Sequence, residues 1–237
     1  AQKVYTVVDP LQIQLDKGIH EIVGYDDEDD ELQTAVKVTC SHITFVGKGT
    51  DHTTIRGGFS VENQQNVKFE ELAVTHPDGF GLELMGSETT VDVLKCSVKE
   101  CEGVGMFVGS GATVTATQCE FMKNGACTDG WGVFCRDPNT KARLYDCTMH
   151  HNEEAGLSAW KHAVVDLHGT KTDIHSNKGG GILADFDGKV NIHLPSQHNT
   201  SHDNEGEDRF QEEGGSIANI SADGTFTHVV VDDDDDN

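Results

Sequence analysis

Apolar residues recur along this chain at a nearly constant spacing, and this repeat restricts the possible folds more than any other feature. One column of residues is separated by steps of 23 to 28 positions: Ile43, Val67, Val91, Val114, Ala142, Val165 and Val190. A second column follows two positions later: Phe45, Phe69, Val93, Ala116, Leu144, Leu167 and Ile192. A repeat of this length cannot bury its own apolar face, so successive units must stack to form one continuous core.

Each repeat unit is predicted to contain three short strands. Apolar and polar residues alternate in residues 91–93, a second segment begins at Cys96, Cys119 or Cys147, and a third follows a recurring glycine, as in residues 82–84. The corners between them are too short for a crossover helix. The apolar columns are mostly β-branched, unlike the regular leucines of a leucine-rich repeat. We therefore predict an all-β parallel β-helix, a solenoid of about eight coils of 23–28 residues.

Several segments also resemble a known family. They are LDKGIHEI (15–22), ITFVGKG (43–49), TIRGG (54–58), NEEAGL (152–157) and NKGGGI (177–182). These segments are similar to the right-handed parallel β-helix superfamily, the pectate-lyase-like group, over roughly residues 10 to 206. The resemblance implies a right-handed coil. It implies no single function, because the superfamily holds lyases, hydrolases, esterases, epimerases, viral adhesins and non-enzymatic binding modules.

The charge of the chain disfavours several classes of partner. The formal net charge is −24 at pH 7. Nucleic acids and anionic membrane surfaces require a basic footprint, so neither is an expected partner. A polyanionic substrate would also be repelled by the summed field. The sequence contains no run of 18 apolar residues, so we predict no membrane span. The same charge opposes end-to-end stacking, and we expect a monomer.

The cysteines favour a reduced protein. There are seven, an odd number, and Cys96, Cys119 and Cys147 fall in one inward column of successive coils. Buried free thiols are the simplest interpretation of such a column. We therefore expect reduced cysteines and an intracellular location. Two glycosylation sequons, at Asn199 and Asn219, favour the opposite compartment.

The chain is predicted to form one domain, residues 1–237. Residues 1–35 are expected to form an N-terminal cap and first coil, and residues 36–195 the regular coils. Residues 196–237 are predicted to contain a long loop up to Gly215, closing strands and an acidic tail. An insertion at residues 126–131 is predicted to form a loop on one face, which in solenoids is often the binding face.

Aligning the coils on the recurring glycine predicts a candidate ligand site. Charged and aromatic residues fall close together just after the third strand of successive coils: Arg136, Asp137, Trp160, Lys161, Asp185 and Asp187. Trp131, on the inserted loop, is a second possible platform. A ring face beside polar groups suits a sugar, which offers an apolar face and several hydroxyls. Alternatively, these residues form a solvated corner, where charged side chains are common.

An enzyme remains the alternative interpretation. Family lyases use a basic residue and often a carboxylate-bound calcium, which implies Arg136 or Lys161 as base and Asp185 with Asp187 as Ca²⁺ ligands. Family hydrolases use paired carboxylates, which implies Asp137 with Asp185. Catalytic candidates are thus Asp137, Lys161 and Asp185, although no family catalytic signature is present.

Two further columns are predicted from the alignment. His150, His175 and His202 occupy similar places before successive glycines, and they form either a transition-metal site or a solvated corner. Asn152 and Asn177 lie four residues before their glycines, which predicts an inward asparagine ladder that satisfies backbone groups at a corner.

The sequence therefore predicts a binding module without strong catalysis, which recognises a carbohydrate or a protein along the exposed face of its coils and needs no cofactor. The alternative is a polysaccharide lyase or glycoside hydrolase. A third interpretation is a solenoid that helps a partner recognise its substrates, as in some ubiquitin-ligase components of this repeat type. A groove lined by close carboxylates would favour the enzyme.

Overall fold

The computed structural model describes residues 5–25, 32–126, 130–193, 200–221 and 223–228. These residues form strands and no helix, and therefore no helix that could span a bilayer. In chain order the strands are β1 (Leu11–Gln14), β2 (Gly18–Glu21), β3 (Gly24–Tyr25), β4 (Leu32–Gln33), β5 (Ala35–Val38), β6 (Ile43–Val46), β7 (Thr53–Arg56), β8 (Gly58–Glu62), β9 (Val67–Glu70), β10 (Ala73–Thr75), β11 (Leu82–Met85), β12 (Thr90–Leu94), β13 (Ser97–Lys99), β14 (Met106–Gly109), β15 (Thr113–Thr117), β16 (Glu120–Met122), β17 (Val133–Arg136), β18 (Lys141–Tyr145), β19 (Thr148–His150), β20 (Ala155–Trp160), β21 (Val164–His168), β22 (Asp173–His175), β23 (Gly180–Asp185), β24 (Lys189–His193), β25 (Ser201–His202), β26 (Arg209–Gln211), β27 (Ser216–Ile220) and β28 (Phe226–His228).

The strands form three long sheets that run along one solenoid. The first sheet has the order β1-β6-β9-β12-β15-β18-β21-β24-β27-β28, and its last pair is antiparallel. The second sheet has the order β2-β7-β10-β13-β16-β19-β22-β25, and the third β26-β23-β20-β17-β14-β11-β8-β5. A small antiparallel pair, β3-β4, lies apart from them. Each turn of chain adds one parallel strand to each long sheet, which confirms the predicted parallel β-helix. The eight strands of the second sheet delimit about seven complete turns, close to the predicted eight.

The strand register confirms both apolar columns. Ile43 pairs with Val67, and the same file continues through every predicted member to Val190. It also extends one coil further at each end, to Leu11 and Ile217. The spacing missed these two residues because the terminal steps, 32 and 27 residues, are longer than most internal ones.

The inward side chains form one continuous core along the solenoid. Near its beginning the rings of Phe45, Phe59 and Phe69 pack with centroids 4.7 to 5.4 Å apart. Further along, the predicted thiol column is present as buried free cysteines at positions 96, 119 and 147. Cys135 is also buried, and this burial raises the pKa of its thiol to about 12.

The predicted asparagine ladder is confirmed and is longer than expected. The Nδ2 of Asn124 donates to Oδ1 of Asn152 at 3.0 Å, and Asn152 donates to Asn177 at 2.9 Å. Asn177 in turn donates to Asn204 at 2.9 Å, and the Nδ2 of Asn204 donates to Asp208 at 2.8 Å. Each Oδ1 in the asparagine series also accepts a backbone N–H, so the ladder satisfies buried polar groups at one corner of the coil.

The structure differs from the prediction of a loop up to Gly215. β25 and β26 lie in this segment and pair in register with β22 and β23. Apolar columns do not mark this turn, because Ser201 lies opposite Ile174 where earlier coils have an apolar residue. Asn204 joins this turn to the preceding coil by accepting a hydrogen bond from Asn177 at 2.9 Å. Beyond this segment β27 and β28 form an antiparallel pair at the end of the first sheet. The acidic residues 26–31 and 232–236, residues 127–129 of the predicted insertion, and Asn199 lie outside the described residues.

The outward faces of the sheets differ in their exposure. In the first sheet, strands such as β15 and β21 alternate between buried and partly exposed residues, as expected of a sheet with one wet face. In the third sheet, all four residues of β14 are buried, and five of the six residues of β20 are buried. Other side chains therefore cover the outer face of the third sheet. The candidate site lies on this covered face.

Candidate functional site

An aromatic cluster covers the outer face of the third sheet. Phe107 and Phe134 are in register on adjacent strands and point outward, yet they are only 9 % and 7 % exposed. Together with Val104 they form a second apolar cluster, separate from the core. The residues that cover it are Phe80, Met85, Trp131 and Trp160. We refer to these seven residues as the outer cluster.

The rings of the outer cluster have a defined geometry. Trp131 stacks on Phe134 with centroids 4.7 Å apart and an interplanar angle of 25°. Trp160 meets the same phenylalanine edge-on, at 5.5 Å and 88°. Phe134 thus holds the two indoles at a steep angle to one another, with their centroids 6.4 Å apart. Such packing is worth roughly 0.5–1.5 kcal/mol per aromatic pair beyond area burial, so the rings are preorganised.

A cleft of about 420 Å³ opens beside the two tryptophans. Its other lining residues include Phe210 and the three glycines Gly179, Gly180 and Gly181. Because glycine has no side chain, this part of the lining, which we call the floor of the cleft, consists of backbone. The aromatic rings form other parts of the lining. The volume lies within the range of small-molecule sites, about 300–1,000 Å³.

Two exposed glutamates line the cleft from either side of the glycine coil. The backbone N–H of Gly179 donates to the carbonyl of Glu154 at 3.3 Å, and that of Gly181 donates to Glu207 at 2.9 Å. Glu154 and Glu207 therefore lie on the two coils that flank the glycines. Two coil spacings place their backbones about 9–10 Å apart.

Buried polar atoms without a partner lie at the same place. Trp160 Nε1 and Ser158 Oγ are buried and have no hydrogen-bond partner. Ser158 points outward, in register with Phe134 and Leu183, because its neighbours in β20 belong to the core. Buried donors of this kind are usually paired. The indole N–H is therefore a donor that a ligand acceptor could satisfy after a small movement of the ring.

Only some of the residues predicted to form the ligand site lie together in the structure. Arg136, Trp160 and Asp185 are in register at the ends of β17, β20 and β23, as the alignment predicted. Trp131 and Trp160 line the cleft, whereas the charged residues of the group do not. The Nε of Arg136 donates to Oδ1 of Asp137 at 3.3 Å, and Asp137 Oδ2 accepts the backbone N–H of Ser110 at 3.3 Å.

Of the remaining charged residues, Asp185 ends β23, and Lys161 and Asp187 lie in the corners that follow β20 and β23. Asp185 is 8 % exposed, and its carboxylate accepts the backbone N–H of Phe186 at 2.7 Å. Asp187 lies 3.8 Å from the His162 ring, and Lys161 is exposed. The two aspartates proposed as Ca²⁺ ligands therefore have separate partners in this structure.

Sequence reasoning missed Glu154, Glu207 and Phe210 as possible ligand contacts. One available signal was the uninterrupted apolar run of the third strand, Met106–Gly109, which breaks the alternation expected of a half-buried strand. Another was the glycine triplet at 179–181, which removes three successive side chains from one coil.

The predicted histidine column exists as a stack of rings. His150 and His175 lie 5.1 Å apart, and His175 and His202 lie 5.6 Å apart. Their nitrogens contact different groups, however. His150 Nε2 lies 3.2 Å from Glu120, and His202 Nε2 lies 2.9 Å from Asp173. The column therefore does not converge on one point.

Comparison with known proteins gives one family. A family profile described as the right-handed β-helix region matches residues 31–200, more than two thirds of the chain. No curated protein and no solved structure matches the chain significantly.

Proposed function

The chain belongs to the right-handed β-helix family, and from this premise we propose that it is a carbohydrate-binding module whose site is the cleft between Trp131, Trp160 and Phe210. The observation that carries the proposal is the pair of indoles, held at a fixed angle by Phe134, beside a floor of glycines. Rings arranged in this way can pack against a ligand that has a flat apolar face.

The chemistry of the lining residues matches the two sides of a sugar. The rings offer apolar surface for the C–H face of a pyranose, while carboxylates accept hydrogen bonds from its hydroxyls. Glu154 and Glu207 line the cleft and supply such carboxylates. The unpartnered Nε1 of Trp160 adds a donor.

The charge of the site favours a neutral or amine-bearing saccharide over a uronate. Both ionisable residues that line the cleft are glutamates, in a chain of net charge −24. A polyuronate would meet like charges at the site and in the surrounding field.

A glycan array at neutral pH, with and without calcium, tests the proposal, followed by calorimetry with the oligosaccharide that binds. We expect Trp131→Ala and Trp160→Ala each to weaken binding at least tenfold, because each removes a ring that lines the cleft. Phe80→Ala is the matched control, since it removes a ring from the outer cluster away from the cleft. Lys161→Ala should also leave affinity unchanged. Unaltered affinity in folded Trp160→Ala would exclude the cleft as the site.

A glycoside hydrolase is the second candidate, favoured by the glutamates on either side of the cleft. Inverting hydrolases hold their two carboxyls about 6.5–9.5 Å apart, and a backbone separation of about 9–10 Å allows this. Glu154→Gln and Glu207→Gln should then each abolish release of reducing ends while binding persists. Turnover that survives both substitutions would exclude this pair.

The lyase alternative depends on other residues, namely Arg136 or Lys161 as base and Asp185 with Asp187 as Ca²⁺ ligands. The absorbance of unsaturated uronates released from polyuronates measures lyase activity directly. Lys161→Ala is the variant to compare with the parent protein. On the present proposal no such release is expected.

A further inference from the structure

Three side chains on the outer face of the first sheet form a group of metal-ligand type. Asp166 and His168 alternate along β21 with core residues, so both project outward. His193 projects outward from the neighbouring strand β24, directly after the core residue Ile192. Because Leu167 pairs with Ile192, the two histidines are neighbours across the sheet.

The ligand atoms of these residues are close enough to share one ion. One atom from each of Asp166, His168 and His193 can be chosen so that all lie within 4.8 Å of one another. Nε2 of His193 is 3.1 Å from Oδ1 of Asp166, and the two imidazole rings lie 4.1 Å apart. Ligands at 2.0–2.1 Å from a tetrahedral ion lie about 3.3 Å from each other. The two imidazole rings are stacked with an interplanar angle of 14°, so they must rotate about their side-chain bonds to direct one nitrogen each at a shared ion.

Neighbouring residues support the geometry. The Nδ2 of Asn191 donates to Oδ1 of Asp166 at 2.9 Å, which orients the carboxylate. The Tyr145 ring stacks on His168 at 4.5 Å and 10°. The side chains of Asp166 and His193 are 23 % and 32 % exposed, so an ion could reach them from solvent. Outer residues of this kind typically hold metal ligands in position.

We propose that Asp166, His168 and His193 bind a divalent first-row transition metal, with Zn²⁺ the best fit. Two imidazoles and one carboxylate are ligands that Zn²⁺ accepts, whereas Ca²⁺ prefers an all-oxygen site. Three protein ligands leave at least one coordination position for water or a donor atom from another molecule.

The second sheet provides a natural control. His175 stacks between His150 and His202 in much the same way as the histidines of the first sheet. Its Nδ1 lies 3.0 Å from the hydroxyl of Ser176, and the neighbouring rings have other partners. Removing this histidine should therefore not affect a site on the first sheet.

Zn²⁺ titration of chelator-treated protein by calorimetry tests the proposal, and Co²⁺ absorption reports the ligand geometry. We expect one equivalent to bind, with His168→Gln, His193→Gln and Asp166→Asn each weakening affinity at least tenfold. His175→Gln should change it less than twofold. Arg143 pairs with Asp166 in the sheet register, so Arg143→Gln should strengthen binding about threefold by removing a nearby positive charge.

Circular dichroism confirms that each variant is folded, and paramagnetic broadening of histidine NMR signals by Co²⁺ locates the ion in the unmodified protein. Broadening centred on His168 and His193 supports the site. Zn²⁺ binding that survives folded His193→Gln and Asp166→Asn, broadening centred on other histidines, or no binding at micromolar Zn²⁺ would overturn it. None of these results depends on the carbohydrate cleft.

Discussion

At the scale of single residues, the recurring glycines and the asparagine ladder depend on each other. A Cβ on Gly132 would lie 2.8 Å from Nδ2 of Asn152, and one on Gly156 would lie 2.8 Å from Nδ2 of Asn177. Neither glycine adopts a positive φ, so the requirement is for space and not for a special backbone conformation. The asparagine of the next coil occupies the place where a side chain would otherwise be.

Gly156→Ala should therefore lower the free energy of unfolding by about 1–3 kcal/mol, the usual cost of overpacking a core. The new methyl group would also meet Cγ2 of Ile174 at 2.5 Å. Urea denaturation measures the effect. Thr115→Ala, an outward substitution in β15, is the control and should stay within about 0.5 kcal/mol. A Gly156→Ala variant as stable as the parent would show that the coils can separate to admit a side chain.

At the scale of the elements, single left-handed residues turn the corner between the first and second sheets. Lys95, Gln118 and Asp146 have φ of 50°, 54° and 51° at this corner in successive coils. In the next coil the corresponding turn contains Gly169, at φ 87°. Each non-glycine residue in this conformation costs roughly 1–2 kcal/mol, so these corners store strain that the neighbouring strands outweigh.

Gln118→Gly should raise the free energy of unfolding by about 0.5–1 kcal/mol, because relief of strain exceeds the entropy lost by glycine. Thermal denaturation measures the gain. Thr117→Gly, one residue earlier and inside β15, is the control and should destabilise the protein instead. A loss of stability in Gln118→Gly would show that its side chain contributes more than the corner costs.

The histidine stack of the second sheet should make stability depend on pH. Burial lowers the pKa of His175, and the rings of His150, His202 and His151 add to this effect while Asp173 opposes it. A histidine in the unfolded chain has a pKa of about 6.5. As the pH falls below this value, His175 therefore binds protons more readily in the unfolded chain than in the native state. The contribution of His175 is thus complete above pH 6.5 and decreases as the pH falls through its lower native pKa.

Unfolding free energies measured from pH 7.5 to pH 5 test this pH dependence. His175→Gln should lose less stability on acidification than the parent protein. His162→Gln is the control, because its ring is 61 % exposed, and its pH profile should parallel that of the parent. Parallel profiles for the parent and His175→Gln would contradict the prediction.

At the scale of the whole molecule, charge repulsion acts along the solenoid. The net charge of −24 is distributed over a chain of only 237 residues. Several exposed carboxylates form ion pairs, as in the Glu153–Lys178 contact at 2.6 Å. The chain nevertheless has 41 aspartates and glutamates against 17 lysines and arginines, so acidic residues far outnumber these basic ones. Compact states with such a charge are destabilised by self-repulsion.

The melting temperature should therefore rise when NaCl is increased from about 0.01 M to about 0.15 M, which shortens the screening length from about 30 Å to about 8 Å. Differential scanning calorimetry measures the shift. An equal concentration of a neutral osmolyte is the control for non-electrostatic effects. A melting temperature that does not change with salt would show that local ion pairs already offset the repulsion.

The sequence by itself determined the coil, its apolar files, the thiol column and the asparagine ladder. In a solenoid, residues one repeat apart become neighbours across strands, so spacing along the chain translates directly into contacts such as Val91 with Val114. The same logic failed in the segment up to Gly215, where Ser201 lies opposite Ile174 in place of an apolar residue.

Only the tertiary structure decided where the cleft and the metal-type group lie. Glu154 and Glu207 lie two coils apart, on either side of the glycine coil, and both line the cleft. Asp166, His168 and His193 converge because of the direction in which each side chain leaves its strand and the lateral register of β21 and β24. Periodicity specifies which residues are neighbours. Side-chain direction and the packing of the outer face determine which of those neighbours can meet one ligand.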